Sequence, residues 1–189
     1  MDISFIIGEE KFNYRVCAVI LKDGEILAMR DERSPYYYLP GGRVHLGERA
    51  EDAVIRELRE ELNITPEVVR PLWLCQSFFK EDVNGLHYHE ICIYFLTDIS
   101  QCDLLDKGHK FTISEGTNKN TFEWLKFEQL QNEYIYPLFI KKEIFNLFIY
   151  TPLSALITIA IAIVTALVST TLPVYKIAKK CPADSIRTL

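Results

Sequence analysis

Residues 39–64 read LPGGRVHLGERAEDAVIRELREELNI, and this stretch decides the fold around which the rest of the chain is built. It begins with an apolar segment that stops at a Pro-Gly-Gly turn. From Arg49 to Leu62 the apolar residues then form one stripe at the period of a helix. Asn63 follows, and asparagine tolerates the left-handed conformation that ends many helices. The stretch therefore predicts a turn followed by an amphipathic helix.

The predicted helix also carries an acidic face. Glu57, Glu60 and Glu61 stand at positions i, i+3 and i+4, which places them within an arc of about 100°. Carboxylates this close repel one another, and Mg²⁺ or Mn²⁺ would relieve the repulsion, because hard cations prefer carboxylate oxygens. Arg56 and Glu48 can pair and hold the acidic set in place. The alternative is a charged helix face that is merely solvated, as most charge runs are.

Strand-like segments surround this helix. A hairpin turn is predicted at Lys22-Asp23-Gly24, because Asp-Gly supplies the positive φ angles that such turns need. Strands are predicted at Tyr14 to Leu21, Glu25 to Arg30, Tyr36 to Leu39, Val68 to Phe79, His87 to Leu96 and Thr121 to Leu125. Residues 100 to 121 are predicted to be a long polar loop, and Glu133 to Phe145 a second helix. This order favours the α/β class, with a mixed sheet and helices packed on it.

The segments Gly42 to Glu48 and Arg56 to Ile64 together resemble the Nudix box, Gly-x5-Glu-x7-Arg-Glu-U-x-Glu-Glu-x-Gly-U, with U a bulky aliphatic residue. Eight of the nine specified positions match, and the exception is Asn63, where the family has glycine. The preceding Leu-Pro-Gly-Gly is also typical of the family. The resemblance extends over residues 1 to about 147 and implies the α/β/α sandwich of Nudix hydrolases.

The resemblance further implies an enzyme that uses Mg²⁺ or Mn²⁺ to cut a phosphoanhydride bond in a nucleoside diphosphate linked to another moiety. By resemblance, Glu60 and Glu61 are the principal metal ligands, the carbonyl of Gly41 joins them, and Glu57 is a further ligand or the base that activates water. Nucleoside triphosphates, nucleotide sugars, ADP-ribose and dinucleoside polyphosphates all stay open as substrates.

The catalytic residues that we expect are Glu57, Arg56 and Glu48. Because some relatives take the base from a distant loop, Glu90 and Glu115 are alternative candidates, although each can equally be an ordinary strand or surface acid. Three histidines and several aromatic residues carry weaker signals. His45 could touch phosphate, and His87 and His89 share a strand face and could contact substrate. Tyr36 to Tyr38, Trp73, Phe78 and Phe79 could stack on a base, with core packing as the default.

Composition limits the function classes. Residues 1–143 carry a net charge of −8 and residues 144–189 a net charge of +3. The acidic first part argues against a general nucleic-acid binder, which needs a basic face. The five cysteines are odd in number and lack CxxC spacing, so neither a disulfide framework nor a zinc site is predicted. No secretory signal is visible at the N-terminus, and we expect the catalytic domain to be cytoplasmic.

The C-terminal tail differs from the rest of the chain. The 32 residues from Ile144 to Tyr175 contain no charge. Leu153 to Leu172 would form a helix about 30 Å long, which matches a bilayer core and predicts a transmembrane helix. The end, from Leu172 to Arg187, resembles the C-terminus of FtsX-like ABC-transporter permeases. We therefore expect two parts, a Nudix domain at 1–147 and a tail at 148–189 that associates the full chain with a membrane.

The charges around the predicted span complicate this expectation. The cations after the predicted span put its C-terminus in the cytoplasm by the positive-inside rule, which would place the hydrolase outside. We therefore interpret the chain as a fusion with its junction near Leu147 to Thr151.

The main alternative function is a catalytically silent Nudix-fold nucleotide sensor tethered to a membrane or transporter partner. A transporter component is disfavoured, because one span forms no transport path and no GxxxxGK[ST] motif is present. Homo-oligomerisation stays open.

Overall fold

The computed structural model describes residues 1–32, 34–81, 84–115 and 118–178. The strands are β1 (Ser4–Ile7), β2 (Glu10–Lys22), β3 (Glu25–Asp31), β4 (Gly41–Arg43), β5 (Glu67–Lys80), β6 (His87–Asp98), β7 (Lys110–Glu115) and β8 (Asn118–Lys126). The helices are α1 (Ala50–Leu62), a 3-10 helix (Asp103–Lys107) and α2 (Phe139–Ala178). The structure therefore belongs to the predicted α/β class.

One mixed sheet runs through the described residues. Its strand order is β5-β6-β2-β3-β8-β7, and β1 and β4 also pair with β2. Strands β2 and β6 are parallel, while the other pairs are antiparallel. The β2–β3 hairpin turns at Asp23 and Gly24, whose φ angles are 47° and 82°. The predicted hairpin and the mixed sheet are both confirmed.

Helix α1 packs its apolar stripe on one face of the sheet. Its buried residues are Ala53, Val54, Leu58 and Leu62, and they join Val16, Ala18, Ile20 and Phe95 in one core cluster. The helix ends as predicted, because Asn63 adopts the left-handed conformation (φ 58°, ψ 38°) and donates its backbone N–H to the carbonyl oxygen of Arg59. The acidic face of the helix lies directly beside this apolar stripe.

The opposite face of the sheet is covered by the start of α2. Side chains alternate along a strand, so Tyr94 points away from the core that holds its neighbour Phe95. The ring of Phe139 lies 5.3 Å from that of Tyr94 and 5.6 Å from that of Trp73, measured between centroids. The sheet is thus packed on both faces, and β2 lies in its middle.

Three boundaries differ from the prediction. Residues 100 to 121 are not a loop, because they contain the 3-10 helix and β7, where Phe111 and Ile113 alternate with polar residues and pack against the core. The strand predicted at Tyr36 to Leu39 forms only isolated bridges at Tyr37 and Tyr38. Helix α2 begins at Phe139 rather than Glu133, since the residue before Pro137 is kept out of helical conformation.

The tail is helical, but its predicted role needs a correction. Helix α2 continues to Ala178, so the predicted helix at Leu153 to Leu172 is part of it, and side chains 155–170 are exposed. Across the residues that the structure describes, no helix is sufficiently long and apolar to span a membrane. The predicted transmembrane helix is therefore not supported.

The contacts between residues divide the chain into two compact units, Met1–Lys142 and Glu143–Leu189. The first unit contains the sheet, α1 and the acidic face. The basic end of the tail, from Lys179 onward, lies outside the described residues. The domain limit near residue 147 stays a prediction.

Candidate active site

Gly41 and Gly42 allow the backbone of β4 to lie against the acidic face of α1. Gly41 pairs with Cys17 on β2 and has a φ of 143°, and a Cβ there would collide with the carbonyl oxygen of Val16. A Cβ on Gly42 would collide with the carboxylate of Glu57. Gly41 is therefore required by the backbone, whereas a side chain at Gly42 would have to displace the Glu57 carboxylate.

Glu48 and Arg56 form the pair that the sequence predicted. The Nε and Nη2 atoms of Arg56 donate to the two carboxylate oxygens of Glu48 at 2.8 and 3.0 Å. Arg56 also donates to the carbonyl oxygen of Arg43 at 2.9 Å, and the backbone N–H of His45 donates to Glu48 at 2.9 Å. The hydrogen bonds from Arg56 lower the pKa of Glu48 to about 2. This network fixes the loop before α1 onto the helix.

Glu57 and Glu60 share the remaining donor of Arg56. Its Nη1 atom lies 2.8 Å from Oε1 of Glu57 and 3.3 Å from Oε2 of Glu60. The side chain of Glu57 is only 15% exposed, whereas that of Glu60 is 49% exposed. Burial raises the pKa of Glu57, and the hydrogen bond from Arg56 opposes that rise. Glu57 is therefore held against the β4 backbone, while Glu60 reaches into solvent.

Glu61 lies deepest in the acidic face. Its Oε2 atom accepts a hydrogen bond from the backbone N–H of Gly41 at 3.0 Å. Burial, followed by the nearby charge of Glu57, raises the pKa of Glu61 to about 8. The negative charges of Glu57 and Glu61 repel each other, so a bound cation would stabilise this pair of partly buried carboxylates.

The predicted metal ligands are oxygen donors, which suits Mg²⁺ or Mn²⁺. The structure brings Gly41, Glu57 and Glu61 together, and Glu60 lies one helical turn from Glu57 at the rim. Within the described ranges, no three histidine, cysteine or carboxylate side chains converge closely enough to form a ready-made metal site. The donor chemistry fits a hard divalent cation, and the ligand set itself stays a prediction.

Arg15 is a site residue that the sequence analysis did not identify. It lies on β2, and its Nη2 atom donates to the carbonyl oxygen of Gly41 at 3.4 Å. Its Nε atom is buried and has no hydrogen-bond partner. Its charge opposes the rise in the pKa of both Glu57 and Glu61. The signal in the sequence was a lone cation inside the otherwise uncharged strand segment Tyr14 to Leu21.

Of the two alternative bases, Glu90 lies near the site but does not enter it. Its carboxylate accepts a hydrogen bond from Asn13 at 3.4 Å and lies 4.0 Å from Nη1 of Arg15. Arg15 therefore stands between Glu90 and the carbonyl of Gly41. Glu115 ends β7, and its side chain lies outside what the structure describes.

The histidines contact other groups. His45 lies 3.2 Å from Asp2, measured from its Nε2 atom, while His87 lies 3.4 Å from Glu10. His89 packs on Phe78 with a centroid separation of 4.5 Å. Their contacts with these neighbours account for His87 and His89 without a role at the carboxylates. The backbone of His45 does contribute, through its hydrogen bond to Glu48.

Comparison with known proteins agrees with this geometry. The model of the NUDIX domain family matches residues 11–144, which is most of the chain. This chain belongs to the Nudix family of hydrolases. The family match ends before the tail, and the resemblance of the tail to FtsX-like permeases stays a prediction.

Two curated relatives are similar over parts of the chain. An ADP-ribose pyrophosphatase from Methanocaldococcus jannaschii is 37% identical over 87 residues, covering 44% of this chain and 49% of the relative. The match thus spans about half the length of that protein. Nucleoside triphosphatase NudI from Escherichia fergusonii is 34% identical over 125 residues, covering 61% of this chain and 82% of the relative.

Solved structures agree in fold. The E. coli ORF135 protein is 23% identical with a TM-score of 0.50, and the alignment covers 78% of this chain and 99% of that one. A NUDIX hydrolase from Nitrosomonas europaea is 17% identical with a TM-score of 0.50, covering 71% of this chain and 88% of that one. At this level of identity the two structures establish the Nudix fold alone.

Proposed function

We propose that this Nudix domain hydrolyses a phosphoanhydride bond in a nucleoside diphosphate linked to another moiety, with Mg²⁺ or Mn²⁺ as cofactor. The observation that carries the proposal is the carboxylate pair of Glu57 and Glu61, buried against the backbone of Gly41 and Gly42. Such a pair is unfavourable without a cation. Arg15 and Arg56, which lie beside this pair, supply further positive charge for an anionic substrate.

Glu57, Glu60, Glu61 and the carbonyl oxygen of Gly41 would hold the metal. When bound, the metal supplies charge neutralisation of the diphosphate and lowers the pKa of a water ligand. Arg56 is a positioning residue, since it links Glu48, Glu57 and Glu60 and thereby aligns the acidic face. Arg15 orients the Gly41 carbonyl from the other side.

Glu57 has two proposed roles, a metal ligand or the base that takes a proton from water. Burial raises its pKa, which suits a base because a proton acceptor works best with a pKa near the operating pH. Glu57→Gln distinguishes the roles. Loss of Mn²⁺ affinity, measured by calorimetry, identifies a ligand. Unchanged affinity with lost turnover identifies the base.

The substrate class is supported by these two relatives, which are named for the hydrolysis of ADP-ribose and of nucleoside triphosphates. The direct test is a panel of nucleoside triphosphates, nucleotide sugars, ADP-ribose and dinucleoside polyphosphates with Mg²⁺ and Mn²⁺, following release of phosphate or pyrophosphate. We expect turnover of at least one compound. Nucleotide binding without any turnover would favour the silent sensor instead.

We further propose that the Nudix domain ends near residue 147 and acts in the cytoplasm, where nucleotide substrates are made. The proposed association of the tail with a membrane rests on the uncharged run Ile144 to Tyr175. Sedimentation of the full chain with lipid vesicles, compared with a chain ending at Leu147, tests it. Equal sedimentation of the two proteins would remove the proposal.

A further inference from the structure

Four tyrosines form an aromatic cluster that the hydrolysis mechanism does not use. The ring centroid of Tyr36 lies 5.0 Å from that of Tyr136, 5.7 Å from that of Tyr134 and 6.4 Å from that of Tyr38. Tyr134 and Tyr136 also contact each other, at 5.6 Å. The cluster joins residues about a hundred positions apart in the sequence, and no motif marks it.

The cluster lies next to the carboxylates. Tyr38 is three residues before Gly41, so the two Cα atoms are at most about 11 Å apart. Burial raises the pKa of Tyr38 to about 12, and the charges of Asp31 and Glu61 add to the rise. The Tyr38 side chain therefore lies within electrostatic range of Glu61. The ring of Tyr36 contacts that of Tyr38, and the rings of Tyr134 and Tyr136 contact that of Tyr36.

The backbone holds the cluster rigidly. Tyr37, which lies between Tyr36 and Tyr38, is buried, and its hydroxyl donates to Glu123 at 2.8 Å. Its N–H donates to the carbonyl oxygen of Tyr134 at 2.7 Å, and its own carbonyl accepts from the N–H of Tyr136 at 2.8 Å. Alternation along this extended segment puts Tyr36 and Tyr38 on the face opposite to Tyr37. The rings are thus fixed before any ligand arrives.

Core packing does not account for the whole cluster. Tyr134 is 51% exposed and Tyr136 is 40% exposed. The surface near Tyr36 is open, and a depression of about 310 Å³ there includes Ser34, two residues before Tyr36. Fixed, half-exposed aromatic rings beside open space can accept a flat ring by stacking.

We propose that Tyr36, Tyr134 and Tyr136 form the stacking site for the base of the nucleotide whose diphosphate lies at the acidic face. The inference rests on the proposed function, since it places the base relative to the bond that is cut. Tyr38, between the stacking rings and Gly41, faces the ribose. The site selects substrates that carry an aromatic base over phosphorylated sugars that lack one.

The test compares substrates with and without a base on the full-length chain. KM is measured for the best nucleotide of the panel and for ribose 5-diphosphate, which keeps the sugar and the 5-linked diphosphate but lacks the base. Tyr136→Ala and Tyr134→Ala are each expected to raise the nucleotide KM about tenfold, which corresponds to about 1.4 kcal/mol, and to leave the baseless KM unchanged. Tyr136→Phe keeps the ring and is expected to behave like the unmodified protein.

Phe78→Ala is the matched control, since Phe78 is equally aromatic and 70% exposed but packs on His89. Calorimetry with a nucleoside monophosphate and with ribose 5-phosphate adds a readout that needs no turnover. Base-dependent binding that is lost in the alanine variants supports the stacking site even if no compound is hydrolysed, in which case the proposed function alone fails. Equal effects on both substrates, or equal affinity of the unmodified protein for both monophosphates, overturn the stacking site.

Discussion

Glu61 shows at the scale of one residue how the fold prepares a cation site. Its folded pKa of about 8 lies above the ordinary value of 4.5 for a glutamate. In the metal-free protein the folded state therefore holds a proton that the unfolded chain releases. The stability that protonated Glu61 gives the folded state is complete below the unfolded pKa and is lost as pH rises through the folded pKa.

We therefore predict that the metal-free chain melts at a lower temperature at pH 8 than at pH 5.5, by several degrees. Glu61→Gln should flatten this dependence, because glutamine has no proton to lose. Thermal melts in chelator across this range measure both proteins. Because a carboxylate must be deprotonated to bind metal, Mg²⁺ affinity should also rise over the same window. Identical slopes for the two proteins would place the titrating group elsewhere.

Gly42 gives a second prediction at the same scale. Because a Cβ there meets the Glu57 carboxylate, Gly42→Ala should displace Glu57 and lower kcat by at least about tenfold. Gly85→Ala is the control, because Gly85 has a positive φ but nothing near its Cβ, so it should lose stability without losing turnover per folded molecule. Similar kinetics for Gly42→Ala and the unmodified chain would show that Glu57 is not held by this contact.

Arg15 shows why sequence alone could not identify every site residue. Arg56, Glu57, Glu60 and Glu61 share α1, so helical spacing was enough to bring them together, and Glu48 lies only two residues before the helix begins. Arg15 reaches the Gly41 carbonyl only because β4 pairs with β2 across 26 residues. Nothing local to Arg15 specifies that pairing, and the residue looked like a lone charge in a strand.

At the scale of elements, α1 was predictable in full, and its C-terminal cap explains the departure from the family pattern at Asn63. The predicted cap is tested by two substitutions. Asn63→Gly should leave activity within about twofold, since glycine adopts the left-handed conformation freely. Asn63→Ala should destabilise the chain by about 1–2 kcal/mol, the cost of that conformation for a residue with a Cβ. Denaturant unfolding measures both, and equal stability of the two variants would contradict the cap.

The elements that the sequence analysis missed share one cause. Strand β7 has polar residues alternating with only two apolar ones, so its pattern was too short to separate from a loop. It becomes a strand because Phe111 stacks on Phe122 of β8 at 5.4 Å. The start of α2 depends likewise on Pro137 and on the contact of Phe139 with Trp73 and Tyr94. Tertiary contacts, rather than local propensity, fix these boundaries.

At the scale of the whole molecule, the catalytic unit should work without the tail. The core cluster under α1 runs from Val16 to Trp124, and every candidate catalytic residue lies before Leu147. A chain ending at Leu147 should therefore have the same kcat as the full chain and remain monodisperse in gel filtration. Aggregation of the shortened chain would show that residues beyond Leu147 complete its core.

The most direct test of the central claim measures turnover of the best panel substrate against Mg²⁺ concentration, for the unmodified chain and for Glu60→Gln and Glu61→Gln. Glu51→Gln is the matched control, because Glu51 lies on the same helix but contacts Arg49. We expect Mg²⁺-dependent hydrolysis that falls by about a hundredfold or more in both site variants and is unchanged in the control. Near-normal turnover in both site variants would contradict the account, because the acidic face of α1 would then not be the metal site.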